Sequence, residues 1–179
     1  MEKLDLSAIK IIGFDVDGVL TDGRIILRDS EWEVKNFHSR DGLGLKILQA
    51  MGIEPVIITG RRSKAVEARA ADLGIVEFHQ KVLDKWPVFE DILKRRNLSP
   101  HQAAFAGDDL IDLPIMAKVG LAMAPADACP EVLAAAHFVS SQRGGQGAVR
   151  QMVEYILKGQ GLWEKVVQSY LTGQDLPVK

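Results

Sequence analysis

The sequence predicts a doubly wound α/β fold with a mainly parallel, Rossmann-like sheet, on three observations. Short apolar runs alternate with longer helix-periodic stretches almost to the C-terminus. Most of those runs are continuous hydrophobics with β-branched residues, the pattern of strands covered on both faces. Finally, no repeat, low-complexity tract or linker interrupts the alternation, so one β, α, β, α series spans the chain.

Taken in order, strands are predicted at residues 9–14, 55–58, 76–78, 103–106, 119–123 and 138–139. Helices are predicted at 43–51, 63–73, 86–96, 110–119, 131–136 and 148–158. One stretch breaks the series. Residues 24–27 and 33–37 are strand-like runs joined by Arg28, Asp29, Ser30, Glu31 and Trp32. They read as an inserted β-hairpin at about residues 24–37. A hairpin cannot continue a parallel sheet, so it should project from it. After residue 158, Leu162, Trp163, Val166, Val167, Tyr170 and Leu171 recur at helical spacing. They predict an amphipathic tail helix within 159–179, docked on its own domain (1–158) or at a subunit interface.

Composition bounds the class. The chain has 179 residues, 22 Lys plus Arg against 24 Asp plus Glu, a net charge of -2, 47% hydrophobic and 26% charged residues. These values exclude a disordered chain, a collagen-like repeat and a disulfide scaffold. At this length roughly 70% of the unfolded surface can be buried, enough for one core without staples. Near-neutrality argues against a nucleic-acid partner bound through bulk charge. The single Cys129 cannot form an intramolecular bridge and fits a reducing compartment. No segment approaches the roughly 20 apolar residues that span a bilayer, and the first ten residues lack the apolar core of a signal peptide. A cytoplasmic protein without a membrane partner is expected.

The strongest chemical signal is FDVDGVLTDG, residues 14–23, directly after the first predicted strand. Ligands of open parallel sheets sit beyond the carboxyl ends of the strands, so Asp15 and Asp17 should face a crevice. Two close carboxylates repel unless they share a proton or a cation. Capping of a turn is the competing reading. A second signal, AAFAGDDLID, ends another strand in Asp108, Asp109 and, three residues on, Asp112. Capping accounts for one of these, not three. Together the five Asp residues form an all-oxygen set that suits Mg²⁺ and offers no imidazole or thiolate for zinc.

A phosphate needs donors too. Thr59, with the amides of Gly60 and Arg61, ends the second parallel strand at a helix start and forms an anion cradle; a plain Thr cap is the alternative. Lys85 stands at a helix N-terminus, against the dipole, so it asks for a local anion, either Asp84 or a ligand. Read alone, it would be an ordinary surface Lys. The histidines His38, His79, His101 and His137 lack ligand spacing and suggest no metal; His79, in a βα loop, is a candidate substrate contact.

These four motifs, in this order, resemble those of the haloacid dehalogenase superfamily of phosphotransferases over about residues 9–157. The resemblance implies that Asp15 is the nucleophile of a phosphoaspartyl intermediate and Asp17 the general acid and base. It makes Thr59 the phosphate-binding hydroxyl, Lys85 the motif lysine, and Asp15, Asp17 (through its carbonyl) and Asp108 the Mg²⁺ ligands. Asp109 and Asp112 take its remaining acidic positions, with direct or supporting roles.

Members usually carry an inserted cap. Residues 18–58 hold only the hairpin and one helix, and 60–84 one helix and one strand, so neither gap can hold a cap domain. The segments at 20–48, 107–114 and 143–151 resemble the capless subgroup of phosphatases acting on keto-deoxy sugar acid phosphates. That resemblance implies an eight-carbon sugar acid phosphate substrate, a homo-oligomer, specifically a tetramer with hairpins associated, and a site covered by a neighbour. Arg61 after Thr59-Gly60 points to eight carbons; a nine-carbon ester, or a non-catalytic assembly module on the same scaffold, is the alternative. Arg40, Asp41, Arg61 and Arg143 are candidate contacts to the sugar acid, whose carboxylate suits a bidentate Arg; a solvated surface is the plain reading of Arg40 and Arg143. Trp32 and Trp163 are candidates for core or for interface anchors.

Overall fold

The computed structural model describes residues 4–29 and 32–174, and for residues 28, 29 and 32 the backbone alone. Six strands form one sheet in the order β5-β4-β1-β6-β7-β8. They are β1 (Ile11–Phe14), β4 (Glu54–Ile58), β5 (Phe78–His79), β6 (Ala103–Ala106), β7 (Leu121–Ala124) and β8 (Phe138–Val139). Every neighbouring pair is parallel. A separate antiparallel hairpin pairs β2 (Ile26–Asp29) with β3 (Trp32–Val34) and projects from the sheet as expected.

Alternation along the buried strands feeds two cores. Ile12, Phe14, Ile57, Ala104, Leu121 and Met123 face α1 (Ser39–Ala50), α2 (Lys64–Leu73) and α6 (Ala148–Gly159). Ile11, Val56, Ile58, Phe105 and Ala122 face α3 (Lys85–Arg95), α4 (Leu113–Met116) and α5 (Pro130–Ala135). Burying one such Ile or Phe side chain stabilises the fold by about 1.5–3 kcal/mol. The α/β doubly wound architecture predicted from the apolar runs is therefore the one observed.

Three elements differ from the expectation. The strand expected at 76–78 begins only at Phe78, and Val76 is 93% exposed. It lies at the sheet edge just after the left-handed Gly74 that ends α2, where only β4 offers a partner. The helix expected at 110–119 divides into a 3-10 turn, Leu110–Asp112, and the single-turn α4. Asp109 and Asp112 form a reciprocal capping box there, which draws the chain into the tighter turn. In the hairpin, pairing is displaced toward the turn and a register shift falls between Leu27 and Asp29.

The tail helix α7 (Trp163–Thr172) docks on its own domain, with Val166 buried in the α1/α2/α6 core. Trp163 packs partly buried against that core, under the Arg150 and Lys158 cations at 5.1 and 5.7 Å from its ring. The hairpin residues Ser30 and Glu31, the Trp32 side chain proposed as an anchor, the first three residues and the last five of the tail lie outside the described residues. Among the described residues, only the hairpin, α1 and short loops separate β1 from β4, so no cap domain is inserted there.

Candidate active site

The strand order fixes where a ligand belongs. The chain moves from β1 outward to β4 and β5, then returns to β6 on the other side of β1, so the switch point lies between β1 and β6. Asp15 follows β1, Asp108 follows β6 by two residues, and Thr59 follows β4. Parallel pairing sends all three carboxyl ends to one edge, where Asp15, Asp17, Thr59, Gly60, Arg61, Asp108 and Asp109 line one open cleft of about 230 Å³.

Within it, Asp15, Asp108 and Asp112 bring carboxylate oxygens within 4.8 Å of one another. Lys85 stands among them, 99% buried, with Nζ 2.6 Å from Asp112 Oδ1 and 3.0 Å from Asp15 Oδ1. The anion that its helix position called for is thus Asp112 with Asp15 rather than Asp84, and the surface reading of Lys85 is excluded. Asp112 is saturated, because Oδ2 accepts the Asp108 and Asp109 amides at 3.0 and 3.4 Å. Asp108 Oδ1, by contrast, is buried with no hydrogen-bond partner. Burial, and then the charges of Asp15, Asp112 and Asp109, push the Asp108 carboxyl up to about 8. Burial likewise raises Asp15 to about 6 against the opposing Lys85 charge. One ammonium does not balance these acids. A divalent cation with hard oxygen preferences fits this donor set, with Asp108 and Asp15 supplying the free oxygens.

The backbone around the acids is shaped for close approach. Gly18 has φ +88, and a Cβ there would fall 1.9 Å from Asp108 Oδ2. Gly144 has no room either, since its Cβ would meet the Gly18 carbonyl at 1.7 Å. The Gly145 amide donates to the Val19 carbonyl at 3.1 Å, so the late RGGQG segment clamps the loop that carries Asp17. Thr59 is buried, and its hydroxyl accepts the Arg61 amide at 3.4 Å, which closes the cradle at the end of β4.

Other expected positions fall differently. The Asp17 carboxylate stands outside the metal cluster and is held by Lys35, with Arg61 Nε 3.8 Å away. Asp112 takes the place in the acidic triad that its side chain was expected to fill. Asp109 spends its carboxylate on the Leu110 amide at 2.8 Å, a cap. Asp41 is not a substrate contact: 98% buried, it accepts the Gly147 and Arg150 amides at 3.2 and 2.7 Å and so caps α6. His79 ends β5 beside Thr59, whose amide donates to its carbonyl at 2.9 Å, but its Nε2 lies 2.6 Å from Glu77 Oε1 and it is not among the residues that line the cleft. Arg40 is exposed on the first turn of α1, away from the cleft lining. Arg143 is exposed beside Gly144, next to the clamped loop.

Two residues of the site escaped the sequence reading. Lys35, with only 1% of its side chain exposed, reaches Asp17 from the hairpin and also binds Glu33 Oε1 at 3.0 Å. Glu33 in turn lies 3.5 Å from Arg61 Nη2. The available signal was their spacing: two apart on a strand-like run, they share one face.

Known proteins carry the same pattern. The haloacid dehalogenase-like hydrolase family matches residues 40–120. The 3-deoxy-D-manno-octulosonate 8-phosphate phosphatase KdsC of Salmonella typhi is 44% identical over 153 residues, 86% of this chain and 81% of that protein. The crystal structure of the same phosphatase from Yersinia pestis superposes with a TM-score of 0.87 at 43% identity, covering 89% of this chain and 86% of that one. The Moraxella catarrhalis phosphatase, solved with magnesium, phosphate and KDO, gives a TM-score of 0.90 at 36% identity, with 93% and 95% covered. With the fold, the four motifs and these identities in agreement, the chain is a haloacid dehalogenase-like hydrolase and belongs to the family of the 3-deoxy-D-manno-octulosonate 8-phosphate phosphatases.

Proposed function

We propose that the protein is a Mg²⁺-dependent phosphatase that hydrolyses 3-deoxy-D-manno-octulosonate 8-phosphate to the free sugar acid and phosphate, a step in lipopolysaccharide precursor synthesis. The observation that carries this reading is the Asp15, Asp108, Asp112 and Lys85 cluster at the switch point, with one buried carboxylate oxygen left unpartnered. The relatives' substrate supplies the sugar acid.

Asp15 attacks the phosphorus in line and forms an acyl phosphate, while the departing C8 alkoxide takes a proton from Asp17. Asp17, now a carboxylate, accepts a proton from water, and that water attacks the acyl phosphate and returns Asp15 as a carboxylate. Lys85 offsets negative charge beside Asp15. The Thr59 hydroxyl, which the Arg61 amide holds in place, and the Gly60 amide orient the phosphoryl oxygens. Asp15 and Asp108, supported by Asp112, would hold Mg²⁺, which supplies charge neutralisation on the transferring phosphoryl group.

Arg61, 47% exposed at the cleft, would meet the sugar carboxylate, and Arg143, exposed beside the clamped loop, is a second candidate for that role. The cleft is open, and Ile25, Ile26, Leu27 and Val34 of the hairpin are exposed. Both features support a homotetramer in which hairpins associate and a neighbour covers the site, with the 159–179 tail at that interface. No helix of the described residues is long and apolar enough to cross a membrane, and the free Cys129 is in keeping with the cytoplasm.

Phosphate release from the eight-carbon ester, with Mg²⁺ and with EDTA, tests the assignment. Activity should require Mg²⁺, exceed that on the nine-carbon ester, and fall by about 10³-fold or more in Asp15→Asn. A preference for the nine-carbon ester would overturn the substrate, and an active Asp15→Asn protein the mechanism.

A further inference from the structure

The hairpin contributes nothing to the main sheet, and its residues Ile25, Ile26, Leu27 and Val34 are exposed. Yet the residue directly after its return strand is a lysine that is almost wholly buried. Lys35 has 1% of its side chain exposed and ends between two carboxylates, Asp17 Oδ1 and Glu33 Oε1. A flexible ammonium stem loses rotamer freedom when it is immobilised, and burial of its charge demands partners. Here both partners come at fixed places. Glu33 lies two residues back, within β3, and fixes the stem; Asp17 belongs to the loop clamped by Gly145.

The contact is asymmetric at Asp17. Lys35 takes Oδ1, while Oδ2 lies 3.8 Å from Arg61 Nε, a residue lining the same cleft. One oxygen is anchored and the other is presented to the substrate side. Without Lys35 the carboxyl group, on a side chain 20% exposed, would be free to turn about χ1 and χ2. Proton transfer to a leaving oxygen needs the donor within hydrogen-bond reach in one orientation.

We propose that Lys35 is the positioning residue of the general acid and base, the hairpin holding Asp17 in its proton-transfer orientation through the Glu33–Lys35–Asp17 chain. This rests on Asp17 serving as acid and base, as set out above. Lys35 touches neither the metal cluster nor the nucleophile, so its loss should affect proton transfer and not phosphoryl binding.

The experiment uses the full-length protein with Mg²⁺ and two substrates: the octulosonate ester, whose alkoxide needs a proton, and p-nitrophenyl phosphate, whose leaving phenolate does not. Lys35→Met should lower kcat on the sugar ester by about 10–100-fold, within the range general acid-base groups supply, with KM changed less than about twofold. On the aryl ester it should keep a rapid burst of one nitrophenolate per active site, followed by slow turnover, because hydrolysis of the acyl phosphate still needs Asp17 as base. Lys35→Arg should recover part of the rate. Glu33→Gln, which removes the second anchor of Lys35 and with it the Glu33–Arg61 contact, should lower kcat in the same pattern at a few-fold size and serves if Lys35→Met does not fold. A raised KM at unchanged kcat would make Lys35 a substrate contact and overturn the proposal; so would loss of the burst together with turnover. Asp17→Asn in the same assays separates the two readings. If it stays active, the assignment of Asp17 fails; if it is inactive while Lys35→Met and Glu33→Gln turn over normally, only the positioning role fails.

Discussion

The two edges of the sheet carry similar numbers of charges and treat them oppositely. At the amino edge, Glu54 and Glu77 are met by Arg95 and Arg96 at 2.8 to 3.2 Å, each acid with a guanidinium partner. At the carboxyl edge, Asp15, Asp108 and Asp112 share one Lys85, and Asp108 Oδ1 has no partner. Hydrogen bonds from Arg95 lead in holding the Glu77 carboxyl down at about 2, whereas burial raises Asp108 to about 8. The amino edge is balanced as it stands; the carboxyl edge keeps more buried carboxylate than its one ammonium can offset. Unbalanced buried charge, more than acidity as such, marks the working end of this molecule.

The largest effect should follow from deepening the imbalance. Lys85→Met removes the only cation within reach of Asp15 and Asp112 among the described residues and leaves like charges buried together. Breaking a buried pair in this way costs about 3–5 kcal/mol, and loss of a charge-stabilising group at the reacting centre costs about 10²–10³ in kcat. Arg96→Met at the other edge removes partly exposed pairs worth about 0–1 kcal/mol and should leave kcat unchanged. Thermal unfolding and phosphate release of the two variants, side by side, check the contrast. Equal destabilisation by both would erase it.

A second effect is smaller and depends on pH. Asp15 and Asp108 have folded values of about 6 and about 8 against an ordinary 3.8. The metal-free native state therefore binds more protons than the unfolded chain between about pH 4 and 8, and its stability must fall as pH rises through that window. In EDTA the melting temperature should drop from pH 5.5 to pH 8. Mg²⁺ at about 100 times its Kd should restore about 2.7 kcal/mol, or about 5–10 °C at this chain length, with the larger gain at pH 8. A melting temperature in EDTA that is flat over this range would show that the carboxyl edge is not strained.

How far this contrast was readable beforehand depended on range. Asp15, Asp17, Thr59, Gly60, Arg61 and Asp108 sit within a few residues of strands whose apolar runs are unmistakable, and parallel pairing brings strand ends together whatever the loops do. The burial of Lys85 was not readable, because its main partner Asp112 lies 27 residues on and arrives only when α3 packs beside β6. Asp41 misled because its carboxylate is consumed by the distant α6 amides, and His79 because its ring pairs with Glu77 two residues back, an acid that Arg95 and Arg96 also hold. For Lys35 only the pairing with Glu33 was legible, in their two-residue spacing; its reach to Asp17 depends on where a projecting hairpin folds back, which alternation cannot give.

The smallest effect belongs to the balanced edge and separates the two by slope. The Glu77 carboxyl lies at about 2 in the folded protein against an ordinary 4.5. A depressed carboxylate adds stability that is fully present above about pH 4.5 and is lost as pH falls toward 2. Glu77→Gln should therefore cost about 1 kcal/mol at pH 7, since its arginine partners are 44% and 34% exposed, and should flatten the acid side of the stability profile. It should leave the alkaline side in EDTA, and phosphatase activity, unchanged. Asp108→Asn should do the reverse: flatten the alkaline side, leave the acid side in place, and abolish Mg²⁺ dependence of the melting temperature. Urea unfolding from pH 2.5 to 8 reads both slopes in one series. If Glu77→Gln altered the alkaline slope, the two edges would be coupled through β4 and β5, and the separation between a structural and a working end would fail.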